Sequence, residues 1–339
     1  MTGVLIAIAL IATLSAGCTE GTAPKGEPDF AHGSPRPPCE CSVDPGRQPY
    51  YESPVVVADG WSAPVKLSGS LNTACPEDAI EISRDGKTLY FFWSPRVGAT
   101  AEELLGITTG TYYAERVGTD PAVFDNPRFF DLQKGAEGGS VDGAPNFSPD
   151  GRLVYFHSTR ASNTGYQRTP PVDDPMDIYV APITNGEPGP ASNLGEPINS
   201  IYLDGEHGLS PDGNTLYFAS NRPGGLGAVD IWASNRTGET WSEPVNLGAP
   251  VNGPGSELQP AFAPNRPNTM YFVSDRNGPS SIFRSTFDGA EWGEPEMLVT
   301  GYVGEPAPVA DAGLLYFVHV LVDEEGVFGS DVWYTERIE

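Results

Sequence analysis

An aromatic-rich apolar tetrad recurs five times along the chain: Leu89-Tyr90-Phe91-Phe92, Val154-Tyr155-Phe156-His157, Leu216-Tyr217-Phe218-Ala219, Met270-Tyr271-Phe272-Val273 and Leu315-Tyr316-Phe317-Val318. Such quasi-regular recurrence marks a repeat protein. Polar turn formers precede each copy, as in Ser83-Arg84-Asp85-Gly86, Ser148-Pro149-Asp150-Gly151 and Ser210-Pro211-Asp212-Gly213. Proline presets φ and glycine supplies positive φ, so each tetrad is the second strand of a hairpin. A third strand follows in each unit, for example Asp177-Ile178-Tyr179-Val180 and Asp230-Ile231-Trp232-Ala233. A fourth is expected at 130–132, 191–194, 241–247 and 292–298. Four antiparallel strands per unit, repeated around an axis, predict an all-β, five-bladed β-propeller. The fifth unit stops after its third strand, while 61–67 repeats the pattern of 241–247 upstream of the first unit. The last blade is therefore expected to be closed by an N-terminal strand; a sixth blade built from 50–67 is the alternative.

Composition agrees with a turn-rich body. Of 339 residues, 40 are Gly and 34 Pro, which disfavours long helices. The formal charge of −26 excludes nucleic acid as a partner. Residues 4–14 form an apolar run too short to span a bilayer and read as a signal-peptide core. Residues 1–17 are thus expected to be a signal peptide, 18–49 a Pro/Gly-rich tether and 50–339 the propeller. Three cysteines lie downstream of Cys18. Cys39 and Cys41 are too close to prefer each other, so Cys75 bonded to one of them would staple tether to body; free or metal-binding thiols are the alternative.

Two resemblances sharpen this picture. Leu14-Ser15-Ala16-Gly17-Cys18 resembles the bacterial lipobox, which implies lipidation at Cys18 and an exported, membrane-anchored protein facing the periplasm or the cell surface, with the outer membrane as its address. The segment from Ser210-Pro211-Asp212-Gly213 through Asn221-Arg222-Pro223-Gly224-Gly225 to Asp230-Ile231-Trp232 resembles the WD40-like propeller repeat of the TolB type. That resemblance implies binding of other proteins or envelope components and carries over no catalytic residue.

Counting back six positions from each hairpin gives Glu77, Asp142, Asp204 and Glu257, with Glu305 one place beyond the fifth counterpart, Gly304. An acidic ring at the channel mouth is the expectation. It has three uses: internal pairing with Arg160, Arg222 and Arg276 two residues past each second strand, with Arg96 offset by one; a ligand or a cation such as calcium; or the acid/base pair of a carbohydrate-active hydrolase. The Asp opening three third strands (Asp177, Asp230, Asp331) is expected to fix turns. Long connections at 94–110, 159–176 and 319–330 are expected to cluster on one sector, where Tyr166, Gln167, Arg168, Asp173 and Asp174 could contact a partner. The reading is a non-catalytic envelope scaffold without a cofactor, with the hydrolase and a cation-stabilised structural protein as rivals.

Overall fold

The computed structural model describes residues 32–37, 46–95, 109–136, 140–160, 162–164, 176–310 and 313–338. No helix occurs among them; five small sheets form five blades. The inner strands are Glu77–Ile82, Asp142–Phe147, Asp204–Leu209, Glu257–Phe262 and Val303–Pro308, for blades I to V. Each pairs with a tetrad-bearing strand: Thr88–Trp93, Leu153–Ser158, Thr215–Ser220, Thr269–Ser274 and Leu314–Asp323.

The hairpin chemistry repeats atom for atom. Ser83 Oγ donates to Asp85 Oδ1 at 2.7 Å and accepts from the Thr88 amide at 2.8 Å. Ser148 with Asp150 and Leu153, and Ser210 with Asp212 and Thr215, do the same. Gly151 at φ 69° and Gly213 at φ 73° close these turns in the left-handed region. Beyond the turn, the two faces of each tetrad bury rings between neighbouring blades. Phe91, Phe156, Phe218, Phe272 and Phe317 are all fully buried, and Phe124 of blade I meets Tyr316 of blade V edge to face at 5.7 Å.

Ring closure is as expected: Val65–Lys66 pairs with Gly326–Glu336 and completes blade V. Residues 50–67 form no sixth blade, because Val55–Val56 instead adds to the outer edge of blade IV. Three expectations change. The fourth strand of blade I is Val123–Phe129, not 130–132. The supposed loop 319–330 is a hairpin, Leu314–Asp323 against Gly326–Glu336, since the apolar alternation of Val320, Val322 and Val327 carries the ladder to the tip. The described part of the supposed tether is docked rather than free. Gly33 donates to the Phe129 carbonyl at 2.8 Å and Pro35 bridges Arg128 on blade I. Arg47 pairs with Asp323 and lies 4.4 Å from the Phe328 ring centroid on blade V. Cys75 is disulfide-bonded; Cys18, Cys39 and Cys41 lie outside the described residues.

Candidate functional site: two layers of carboxylates along the inner strands

Every inner strand carries the same irregularity. Its third residue has a left-handed backbone: Ala79 (φ 49°), Ala144 (50°), Glu206 (46°), Gln259 (56°) and Glu305 (53°). At that residue the register with the second strand shifts, as in a β-bulge. The first and third residues of each inner strand therefore form two distinct layers.

The first layer contains Glu77, Asp142, Asp204 and Glu257, which are 0–1% exposed. In blade III, Asp204 accepts from the Ser200 amide and hydroxyl at 2.7 and 2.6 Å, from Ser220 Oγ at 2.7 Å and from Arg222 at 2.6 Å. Arg222 also donates to the Pro197 and Ile198 carbonyls and lies over the Phe218 and Trp232 rings. Blade IV repeats this with Glu257, Ser274, Arg276 and the Pro250 and Val251 carbonyls. In blade II, Arg160 stands 3.3 Å from Asp142. Burial pushes the Asp142 and Asp204 carboxyls up, and the arginines and hydroxyls pull them back. Each unit is thus a brace tying the loop before a blade to its first two strands.

Blade I completes its brace from elsewhere in the chain. Arg36 reaches Glu77 at 3.2 Å and the Leu71 carbonyl at 2.8 Å, with its guanidinium 5.7 and 5.5 Å from the Phe91 and Trp93 ring centroids. Arg96, the residue expected there, lies outside the described residues. Blade V has no brace: Val303 and His319 are paired in the corresponding register. The expected counterpart Gly304 was one residue late, because the turn begins at Val309, whose amide donates to the Leu314 carbonyl. Glu305 accordingly belongs to the third-residue layer, and no five-membered acidic ring exists.

That inner layer lies on the axis. Glu206 and Glu305 line a cavity of about 30 Å³ together with Glu81, Asn146, His207 and Gln259. Gln259 Oε1 accepts from the Glu305 amide at 2.8 Å, and its Nε2 donates to Glu305. Asn146 Nδ2 donates to Glu81 Oε1 at 3.3 Å. Glu206 Oε2 is buried without a hydrogen-bond partner. Burial pushes Glu206 up to about 8 and Glu81 to about 8; the hydrogen bonds from Gln259 and Asn146 offset little of this. Burial also holds Asp78 at about 7, and holds Glu305 well above its ordinary value, assisted by the charges of Glu206, Asp78 and Glu81. His157 and His207 are pushed down to about 3 and 4 by burial and are neutral imidazoles. Of this layer the sequence pointed to Glu305, placed in the ring; the signal for Glu206 is Asp-Gly-Glu-His at 204–207, three polar side chains on a strand that is buried throughout.

Among the described residues no group of three or more His, Cys, Asp or Glu side chains could hold a metal ion. Asp177 and Asp230 accept backbone amides from the preceding loop, at Thr164 and at Leu226, as turn-fixing residues should. Asp331 instead pairs with Lys66 of the closing strand at 2.7 Å. Tyr166, Gln167, Arg168, Asp173 and Asp174 lie outside the described residues.

No protein-family model matches the chain, and no curated protein matches it. Solved structures do. A TolB from Acinetobacter baumannii is similar at 12% identity and TM-score 0.44, over 77% of this chain and 54% of that one; the chain thus spans about half of that protein's length. A TolB from Agrobacterium tumefaciens is similar at 17% identity and TM-score 0.43, over 78% and 91%. An α-L-arabinofuranosidase from Lactobacillus brevis is similar at 13% and 0.49, over 78% and 92%. The likeness extends to the propeller fold and no further.

Proposed function

We propose that the chain is a non-catalytic binding propeller of the cell envelope, exported and anchored through a lipid on Cys18, with the segment around Tyr166, Gln167, Arg168, Asp173 and Asp174 contributing to its partner face. The observation that supports a binder over a hydrolase is the surroundings of the inner-strand acids. A glycosidase needs two carboxyls flanking a space that admits a sugar. Asp142, Asp204 and Glu257 instead face arginines, and Glu206 and Glu305 line only an axial cavity with room for about one water molecule, so of these acids Glu81 alone reaches space the size of a sugar.

The test is turnover of a panel of aryl glycosides, α-L-arabinofuranosides included, by the wild type and by Glu81→Gln. No turnover by either is expected. Turnover by the wild type that disappears in a folded Glu81→Gln variant overturns the reading. The anchor is checked separately: Cys18→Ser should move the protein from the membrane to the soluble fraction.

A further inference from the structure

A larger cavity, about 420 Å³, opens on the side of the molecule where the inner strands end in their hairpin turns. It shares Glu81, Asn146 and Ala261 with the small axial cavity, so the two adjoin at those residues. Its volume falls in the range of small-molecule sites. One wall is a preformed aromatic cluster, Tyr90 4.7 Å from Phe147 and 5.0 Å from Phe130. Phe262 contributes from blade IV. Its inner end is acidic: Glu81, then Glu206 and Glu305, with the buried Glu206 Oε2 lacking a donor. The lone cationic side chain among the lining residues, Arg84, is exposed at the rim.

We propose that this funnel is a binding site for an organic ammonium: a primary amine carried on an apolar or aromatic body, with the amine among Glu81, Glu206 and Glu305 and the body between Tyr90, Phe147 and Phe262. The chemistry fits part by part. An ammonium is about the size of the water that the axial cavity admits, donates three hydrogen bonds and answers an orphaned carboxylate oxygen. Aromatic faces favour a cation and cover an apolar body. The carboxylates are not grouped to hold a metal ion. Groups facing the amine are Glu81, Glu206, Glu305 and the neutral His207, with Asp78 near enough to act on Glu305 through its charge and His157 behind His207. Because burial keeps Glu81 and Glu206 protonated below about pH 8 in the empty site, binding there releases protons and strengthens as the pH rises from 6 toward 8.5.

This assignment rests on the binding-propeller reading and names its ligand class. The probe is 2-phenylethylammonium, titrated calorimetrically at pH 8.5 into the wild type, Glu206→Gln and Glu81→Gln, with 2-phenylethanol as the uncharged isostere and thermal melts confirming that each variant is folded. Saturable amine binding is expected, weakened about tenfold or more in both variants and by the alcohol substitution. Absence of amine binding to the wild type, equal binding of the alcohol, or indifference to both substitutions overturns the assignment and leaves the propeller a binder of something else. Glycoside turnover overturns the binding-propeller reading itself, whatever the amine does.

Discussion

Asp204 and Glu206 are two residues apart on one strand, and both are buried, yet only the first has a cation. The left-handed backbone of Glu206 itself, where the register shifts, turns the second away from the first. Asp204 faces the loop that enters its blade, where Arg222 and two hydroxyls satisfy it; Glu206 faces the axis, where the other blades present carboxyls of their own. A buried carboxylate with an arginine holds structure together. One without an arginine stays protonated or waits for a cation from outside. The braces recur in four blades, as a structural role requires, whereas Glu206 and Glu305 occur in two, as a site for a single ligand requires.

The strongest way to break this contrast is to remove a brace cation. Arg222→Ala strands Asp204 in a buried position, and a loss of about 3–5 kcal/mol is expected in urea unfolding; a loss below 1 kcal/mol would make the pair ornamental. Arg36→Ala should cost less, about 2 kcal/mol, because Glu77 keeps its Thr73 hydrogen bonds and is already pushed up to about 8 by burial. Its signature is local: faster hydrogen exchange at Gly33, Arg36 and Phe129, whose amides join the N-terminal segment to blade I. Unchanged exchange there would separate the salt bridge from the docking.

The smallest effect sharpens the axial half of the contrast. Asp78, Glu81 and Glu206 have folded values of about 7–8 against unfolded values near 4. The native state therefore holds protons that the unfolded chain has lost, and stability falls as pH rises through 7–8. His157 and His207 act oppositely, adding stability as pH rises from about 4 to about 6.5. Only the window from pH 6.5 to 8.5 isolates the carboxyls; stability falls across it, and Glu206 alone supplies about 1–2 kcal/mol of the fall. Glu206→Gln should make that slope shallower by the share of one carboxyl and leave the protein as stable at pH 6.5 as the wild type. A slope as steep as that of the wild type would remove Glu206 from the account, since Glu77, Asp78 and Glu81 keep their shares in the variant.

Much of the fold was legible because its signals are local. The Ser-x-Asp-Gly turns and the Tyr-Phe tetrads each act within about ten residues, and the closing strand copies a segment still intact at 241–247. The site was harder. A one-residue bulge at Glu206 and Glu305 breaks the two-residue alternation by which strand faces are read, and a turn that starts at Val309 put Glu305 in the wrong layer. Arg36 lay out of reach for another reason: it stands 41 positions from Glu77, in a proline-rich stretch whose composition suggests no structure. The hairpin tip at 319–330 was misread because Gly326 and Gly329 look like loop residues, although the chain crosses both without leaving the ladder.

The closing strand also sets a clock. Val65 and Lys66 finish blade V only by pairing with Tyr334 and Trp333, so their partners are made after the rest of the propeller lying between them. At about 5–20 residues per second, ribosomal synthesis of the intervening stretch leaves the early strand waiting for roughly 15–50 s. Throughout that interval the last blade has no outer edge, and the ring cannot be round until Trp333 and Tyr334 have been made.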